Sequence, residues 1–373
     1  VDNMNRFSAM KSALDCEGVG RIAIQVKARP DSIKQDVLLS LKELGLFRVF
    51  LGVESNAVAG LRTLGRGIRR EQNHEALHIL ESLGIHTTFN LLLFDPETTL
   101  EDLDDNLDFL ESYSRFPLNF GRVEAYAGTP LLTRLRSEGR LKGDYWGHSY
   151  EIRDQRVERA FQIFKRVFTP RNFEDGAVNL LGMKVDYLLH ILTHFHRDPA
   201  ATALAGNCRR AIEDLNCDSV RLLRTIRGYA SETSLPDDQG QADLVRSLSA
   251  ERQAFDGQMR CRMESLLQEI QRHGSISKQR ASPIQAAAAA AAAIVISVSG
   301  CREADRDRHM CEMIMKPIEE PQRPVRPPDN SNKQNPPISN EIRRVETNDW
   351  HMCEMIMRPM EPNRNPGTAN TEQ

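Results

Sequence analysis

Residues 46–55, Leu-Phe-Arg-Val-Phe-Leu-Gly-Val-Glu-Ser, constrain the fold more than any other stretch of the chain. Six of the first eight are apolar, which reads as a strand buried on both faces. A strand of that kind needs cover above and below, and helices flanking a parallel sheet supply it. Gly52 interrupts the wall of side chains near the end, and Glu54 follows it. In α/β folds the C-terminal ends of strands carry the chemistry, so Glu54 is a candidate site residue. The competing reading is a helix cap or a partner for a nearby arginine.

The flanking pattern repeats the same grammar. Residues 5–14 have helical spacing, and residues 21–26 read as a strand that Pro30 ends. Ser32 and Gln35 stand at capping-box spacing before a helix whose inward face is Ile33, Val37, Leu38, Leu41 and Leu44. Gly45 sits where a left-handed helix end is needed. A basic stretch with Arg62, Arg66, Arg69 and Arg70 leads into a helix over residues 71–83. Arg62 and Arg66 are candidates for an anion-binding loop, against the commoner reading of a solvated surface. Residues 85–94 read as a further strand, and Thr98 with Glu101 as a second capping box. Residues 120–126 are the last strand candidate. Leu-Gly junctions at 44–45 and 83–84 join helix to strand in the same way twice. Such alternation means a parallel sheet with helical crossovers. The strands are too few for a closed barrel and read as part of one.

From residue 131 the strand pattern stops. Apolar residues at helical spacing (Val157, Ala160, Phe161, Phe164; then Val185, Leu188, Leu189, Leu192) predict a helical region with faces available to a partner protein. After Gly274 the composition shifts to alanine, then to Pro, Asn, Arg and Glu, which reads as a disordered tail. The expected domains are 1–135, 136–273 and 274–373. The net charge of −3 argues against an electrostatically driven nucleic-acid partner. The seven cysteines are dispersed with no C-x-x-C pair, which fits a reducing cytoplasm for the main body. Val1 rather than methionine opens the sequence, so the start is expected to lie inside a longer protein.

Three features outside the sheet carry possible chemistry. His190 and His194 share a helical face as a metal site needs, but Ile191 stands where a helical zinc motif wants Glu. The expectation is therefore no metal in the barrel. Two copies of a His-Met-Cys-Glu-Met-Ile-Met segment begin at His309 and His351. Cys311, Met313, Cys353 and Met355 are their candidate ligands for a soft metal such as Cu(I), against a plain low-complexity duplication. The apolar run at 286–298 is too short to span a bilayer. Lys278, Arg280 and Cys301 make it look like a lipoprotein export signal, read here as accidental because such a signal belongs at an N-terminus.

Six phrases in order now bear on the family: Val1-Asp-Asn, Ala28-Arg-Pro-Asp31, Leu51-Gly-Val-Glu-Ser55, Leu64-Gly-Arg-Gly67, Phe94-Asp-Pro-Glu-Thr-Thr99 and Tyr126-Ala-Gly-Thr-Pro130. Over residues 1–150 the chain resembles radical SAM enzymes, in the branch that often carries an N-terminal cobalamin-binding domain. The resemblance implies the second half of a (β/α)6 barrel. It implies S-adenosylmethionine and a [4Fe–4S] cluster as cofactors, with cobalamin a further one, and a 5′-deoxyadenosyl radical that abstracts a substrate hydrogen. It implies that Lys27, Arg29, Glu54 and Asn90 line the S-adenosylmethionine or substrate pocket. It does not name the small-molecule or peptide substrate. The family's C-x-x-x-C-x-x-C motif is absent from these residues, so its thiolates are expected upstream of Val1 and no activity is expected of this chain alone. Asp95-Pro-Glu stands where a glycine-rich turn is commoner. The alternative is a non-catalytic half-barrel serving as a binding module, with a lipoprotein-like or soft-metal tail.

Overall fold

Alternating helix and strand signals close into a parallel sheet in the computed structural model of the protein, which describes residues 2–144, 147–196, 199–232, 238–280 and 293–295. Helix α1 (Asp2–Cys16) precedes strand β1 (Ala23–Ala28). Helix α2 (Gln35–Leu44) leads to β2 (Leu46–Glu54); α3 (Val58–Thr63) and α4 (Arg70–Ser82) lead to β3 (His86–Phe94); α5 (Leu100–Ser112) leads to β4 (Leu118–Arg122). These four strands pair in parallel in the order β4-β3-β2-β1. Each strand therefore lies beside its neighbour in sequence, as successive βα units of a barrel do. The fold is α/β, a parallel sheet with helical crossovers, followed by a mainly helical region.

The two faces of the sheet differ in chemistry. Val49, Leu51, Val53, Phe89, Leu91 and Leu93 form one face, fully buried against Leu38, Leu41, Leu77, Leu80, Leu103, Leu107 and Leu110 of α2, α4 and α5. Each such side chain contributes about 1.5–3 kcal/mol by leaving water. Residues of the opposite parity form a polar face. Arg48 Nη1 donates to Gln25 Oε1 at 2.7 Å and its Nη2 to Thr88 Oγ1 at 3.1 Å, which joins three strands across that face. Gly45 has the expected left-handed φ of 119°, and a Cβ there would stand 2.3 Å from the Ile22 carbonyl oxygen.

Three local expectations change. Ser32 does not cap α2, because Pro30 starts a 3-10 turn over Pro30–Ser32 in which the Ser32 hydroxyl donates to Arg29 O at 2.7 Å. Helix α2 begins two residues later, after Lys34, with no side-chain cap. The second capping box moves by one residue. Thr98 Oγ1 accepts from Asp95 N at 2.7 Å and is spent in that turn, so Thr99 becomes the cap and Asp102 its partner. Third, strands do occur after residue 131. Following α6 (Pro130–Ser137), β5 (Leu141–Asp144) and β6 (Gly147–Tyr150) pair antiparallel. Their four-residue strands are mostly polar, which leaves no apolar alternation to read.

The helical region is α7 (Gln155–Asn172), α8 (Val178–Phe195), α9 (Pro199–Glu232) and α10 (Asp238–Arg280). Phe94 and Phe120 of the sheet pack edge-on and tilted against Phe161, Phe164 and Phe168 of α7. Helix α8 crosses the N-terminal ends of the strands. Asn179 Nδ2 donates to Leu118 O at 3.2 Å, Asp186 meets His86, Tyr187 packs on Phe47 and Arg48, and His194 Nε2 bonds Ile22 O at 2.7 Å. His194 is thus a packing histidine, turned away from His190. A further strand, β7 (Ala293–Val295), pairs in parallel with the other edge of β1. No helix among the described residues is long and apolar enough to cross a membrane. The tail candidates Cys311, Met313, Cys353 and Met355, and the signal-like Cys301, lie outside the described residues.

Candidate functional site

The C-terminal end of β2 holds the strained point of the chain. Glu54 has φ 62°, the non-glycine positive φ among the described residues. Such a backbone costs about 1–3 kcal/mol and persists only where its surroundings over-determine it. Here they do. Asn106 of α5 accepts through Oδ1 from Asn56 N at 2.8 Å and Ala57 N at 3.3 Å. Asn73 of α4 donates through Nδ2 to Ser55 O at 2.9 Å. Gly60 lets α3 close over this loop, since a Cβ there would meet Ser55 Oγ at 2.4 Å and Asp95 Oδ2 at 3.3 Å. Asn73 and Asn106 were not among the sequence candidates. Their signal was available: each is an amide on the inward, apolar face of its helix, beside Ala76 and Leu77 or Leu103 and Leu110.

Gly52 opens a notch beside Glu54. A Cβ on Gly52 would stand 3.0 Å from Arg66 Nη2 and 3.3 Å from Glu54 Oε1, so two opposite charges reach the strand where a side chain is missing. Arg66 Nη2 donates to Gly52 O at 2.8 Å, while its Nε is buried with no hydrogen-bond partner. Arg29 braces this arginine by donating to Arg66 O at 2.7 Å, and it pairs with Asp31 at 3.0 Å. Burial raises the Glu54 carboxyl above its ordinary value, with the Arg66 charge acting in the opposite sense. Burial likewise lowers Arg66, with Glu54 opposing. Asp95, at the end of β3, is also raised by burial, against hydrogen bonds from Glu97 N and Thr98.

The Glu54 shift has a stability consequence. Its folded form holds the proton to higher pH than the unfolded chain does, so the folded state binds more protons and stability falls as pH rises. The fall begins in the ordinary carboxylate range and ends above the raised folded value. Glu54→Gln is expected to flatten that part of a curve of urea midpoint against pH. An unchanged slope in the variant would show that Glu54 is well solvated.

The other sequence candidates divide. Lys27 is exposed at the end of β1, with Nζ 5.9 Å from the Phe50 ring centroid. Asn90 is buried on β3, two residues beyond Thr88 on the same polar face and in register with Asn119. The fold thus sets Lys27, Arg29, Glu54, Arg66 and Asn90 along the polar face and C-terminal rim. Arg62 stays exposed on the last turn of α3, while Arg66 is partly buried at the Gly52 notch. A separate cleft of about 460 Å³ lies on the helical region, lined by Asp214, Arg221, Gln258 and Arg262 among others, away from the strand ends.

No protein-family profile matches the chain. It is 41% identical over 68 residues to 4′-phospho-dehydrooxetanocin synthase of Priestia megaterium, covering 18% of this chain and 9% of that protein. It is 24% identical over 110 residues to an uncharacterised methyltransferase of Pyrococcus horikoshii, covering 30% and 24%. Among solved structures it matches the cobalamin-dependent S-adenosylmethionine radical enzyme OxsB with aqua-cobalamin and S-adenosylmethionine bound, at TM-score 0.39 and 18% identity over 74% of this chain and 46% of that one. The chain thus spans less than a quarter of the curated relatives' length and under half of that structure. The six ordered sequence phrases and the parallel α/β sheet agree: over part of its length, the chain resembles the radical SAM enzymes.

Proposed function

We propose that the chain is the C-terminal part of a radical SAM enzyme, of the cobalamin-dependent branch, whose β1–β3 rim holds S-adenosylmethionine or substrate. The observation that carries this reading is Glu54, held at positive φ beside the Gly52 notch. Strain stored at the C-terminal end of a parallel strand is a mark of a binding or catalytic position.

The residues present fit a zwitterionic nucleoside ligand. The buried Arg66 Nε–H has a free donor, suited to a carboxylate or hydroxyl oxygen. Glu54 supplies the acceptor for an amine or ribose hydroxyl, Lys27 a positive charge at the open edge, and Asn90 an amide on the same face. The loop tied by Asn73 and Asn106 holds the rim rigid, which fixes orientation without further ordering on binding. When bound in a whole enzyme, S-adenosylmethionine and a reduced cluster supply one-electron chemistry at a substrate C–H bond. The cysteines of this chain do not fit the cluster, since no three stand at its spacing.

Equilibrium dialysis of the purified 373-residue chain with radiolabelled S-adenosylmethionine tests the reading. Glu54→Gln is expected to weaken binding about 10-fold or more, the scale of one hydrogen bond to a charged group. Equal retention of the label by both proteins, or none by either at millimolar ligand, would remove Glu54 from the pocket.

A further inference from the structure

At the opposite end of the sheet from Glu54, β3 begins on His86, and α8 brings Asp186 and His190 onto it, one helical turn apart. His86 Nε2 lies 3.0 Å from Asp186 Oδ2, and His190 Nε2 lies 3.4 Å from Asp186 Oδ1. One ligand atom from each residue fits in a cluster with no separation above 4.8 Å. The His86 side chain is 3% exposed and that of Asp186 8%, while His190 keeps 31%. Despite the 3.0 Å approach, His86 Nε2 and Asp186 Oδ2 are both buried without a hydrogen-bond partner. Two such atoms held this close in poor alignment are costly unless a proton or a cation links them.

We propose that His86, Asp186 and His190 bind a divalent transition-metal ion of borderline softness, with zinc the first candidate, which pins α8 to the start of β3. Two imidazoles and a carboxylate are a donor set for such an ion, and water can fill the remaining position on the more open His190 side. Bonds of about 2.0–2.2 Å in tetrahedral array put neighbouring donor atoms about 3.3–3.6 Å apart. The two imidazoles approach different oxygens of Asp186, and the one-atom-per-residue set spans up to 4.8 Å, so the donors must draw together by about 1 Å on binding.

The geometry also states what binding must change. The rings of His86 and His190 stack with centroids 4.0 Å apart and planes 17° from parallel, which sets their lone pairs side by side. Convergence on one ion requires a tilt, and His190, the more exposed ring, is the one free to make it. Arg48 lies near enough to His86 to depress its protonation and works against a cation there. Its guanidinium is held by Gln25 and Thr88 and lies 5.1 Å from the Tyr187 ring centroid, so the Asp186 charge is the one aimed into the cluster. The position, at the strand starts, assigns the ion a structural role in docking the helical region.

The 373-residue chain, stripped with chelator and refilled with Zn²⁺, is measured for bound metal after dialysis beside His190→Ala and Asp186→Asn. His190 lies at the surface, so its variant should fold; circular dichroism checks this. The wild type is expected to retain one equivalent more than either variant, and His190→Ala to bind this equivalent at least about 100-fold more weakly, beyond the cost of losing an outer-shell partner. The tail's Cys and Met residues are common to all three proteins and cancel in the difference. Co²⁺ substitution separates the sites, since nitrogen and oxygen ligands give d–d bands without thiolate charge transfer. Zn²⁺ should also raise the melting temperature of the wild type and not of His190→Ala. Equal stoichiometry and equal Co²⁺ spectra in folded wild type and His190→Ala overturn the proposal.

Discussion

Arg171→Met is expected to cost about 3–5 kcal/mol of folding stability, the scale for removing one partner of a buried ion pair. The Arg171 side chain is fully buried, with Nη2 2.6 Å from Asp218 Oδ2, Nε 2.8 Å from Asp256 Oδ1 and Nη1 2.9 Å from Ser219 Oγ. It joins α7 to both α9 and α10. Methionine fills similar space between the Phe168 and Phe255 rings, which flank the guanidinium at 5.7 and 5.6 Å, but leaves two carboxylates short of their shared cation. Arg221 at 2.9 Å from Asp218 and Arg252 at 2.7 Å from Asp256 remain, which places the loss toward the lower end of that range. Adding Asp218→Asn and Asp256→Asn to Arg171→Met should recover part of the loss, because the uncompensated charges go with it. Urea unfolding followed by circular dichroism reads both effects. A single-variant cost below about 1 kcal/mol would mean that the three ions behave as a solvated surface cluster.

The second large effect concerns Asn106→Leu. Asn106 is 2% exposed, and its single carbonyl oxygen serves two backbone amides in the turn after Glu54. Ala57 N keeps Ser55 Oγ at 3.2 Å as a second acceptor, but Asn56 N has no such reserve in the hydrogen bonds of this turn. A buried amide left without a partner costs about 1–3 kcal/mol. The loop then loses what forces Glu54 to positive φ, so the carboxylate should swing from the Gly52 notch. Two readouts follow: lower stability, and loss of hydrogen-exchange protection at Asn56 and its neighbours. Asn106→Asp retains an acceptor oxygen and is expected to keep the protection that leucine loses. Unchanged exchange in Asn106→Leu would show that the turn holds its shape without the amide.

Both predictions rest on residues whose partners periodicity cannot supply. Arg171 falls in a helix whose apolar stripe is legible from Val157 to Phe164, yet two turns further on the buried position is a cation. Its partners lie 47 and 85 residues away. Asn106 likewise occupies a core-facing position that a hydrophobic pattern treats as an imperfection. In each case the polar residue is inside because another segment meets it there, and that meeting is a property of the fold.

The sequence by itself determined the alternation of helices and strands up to β4, the parallel sheet and the choice of Glu54 as the point to watch. These are local matters: apolar spacing, glycine at helix ends, and a carboxylate just past a buried strand. The tertiary structure alone decided how Glu54 is held. A positive φ on glutamate follows from amides offered by α4 and α5, not from its neighbours in the chain. It also re-paired the histidines. Helical spacing set His190 beside His194, but α8 crossing the strand starts turned His194 to a backbone carbonyl and His190 to His86, more than a hundred residues away. Side-chain convergence across the sheet is long-range, and no pattern with a period of two or 3.6 residues can carry it.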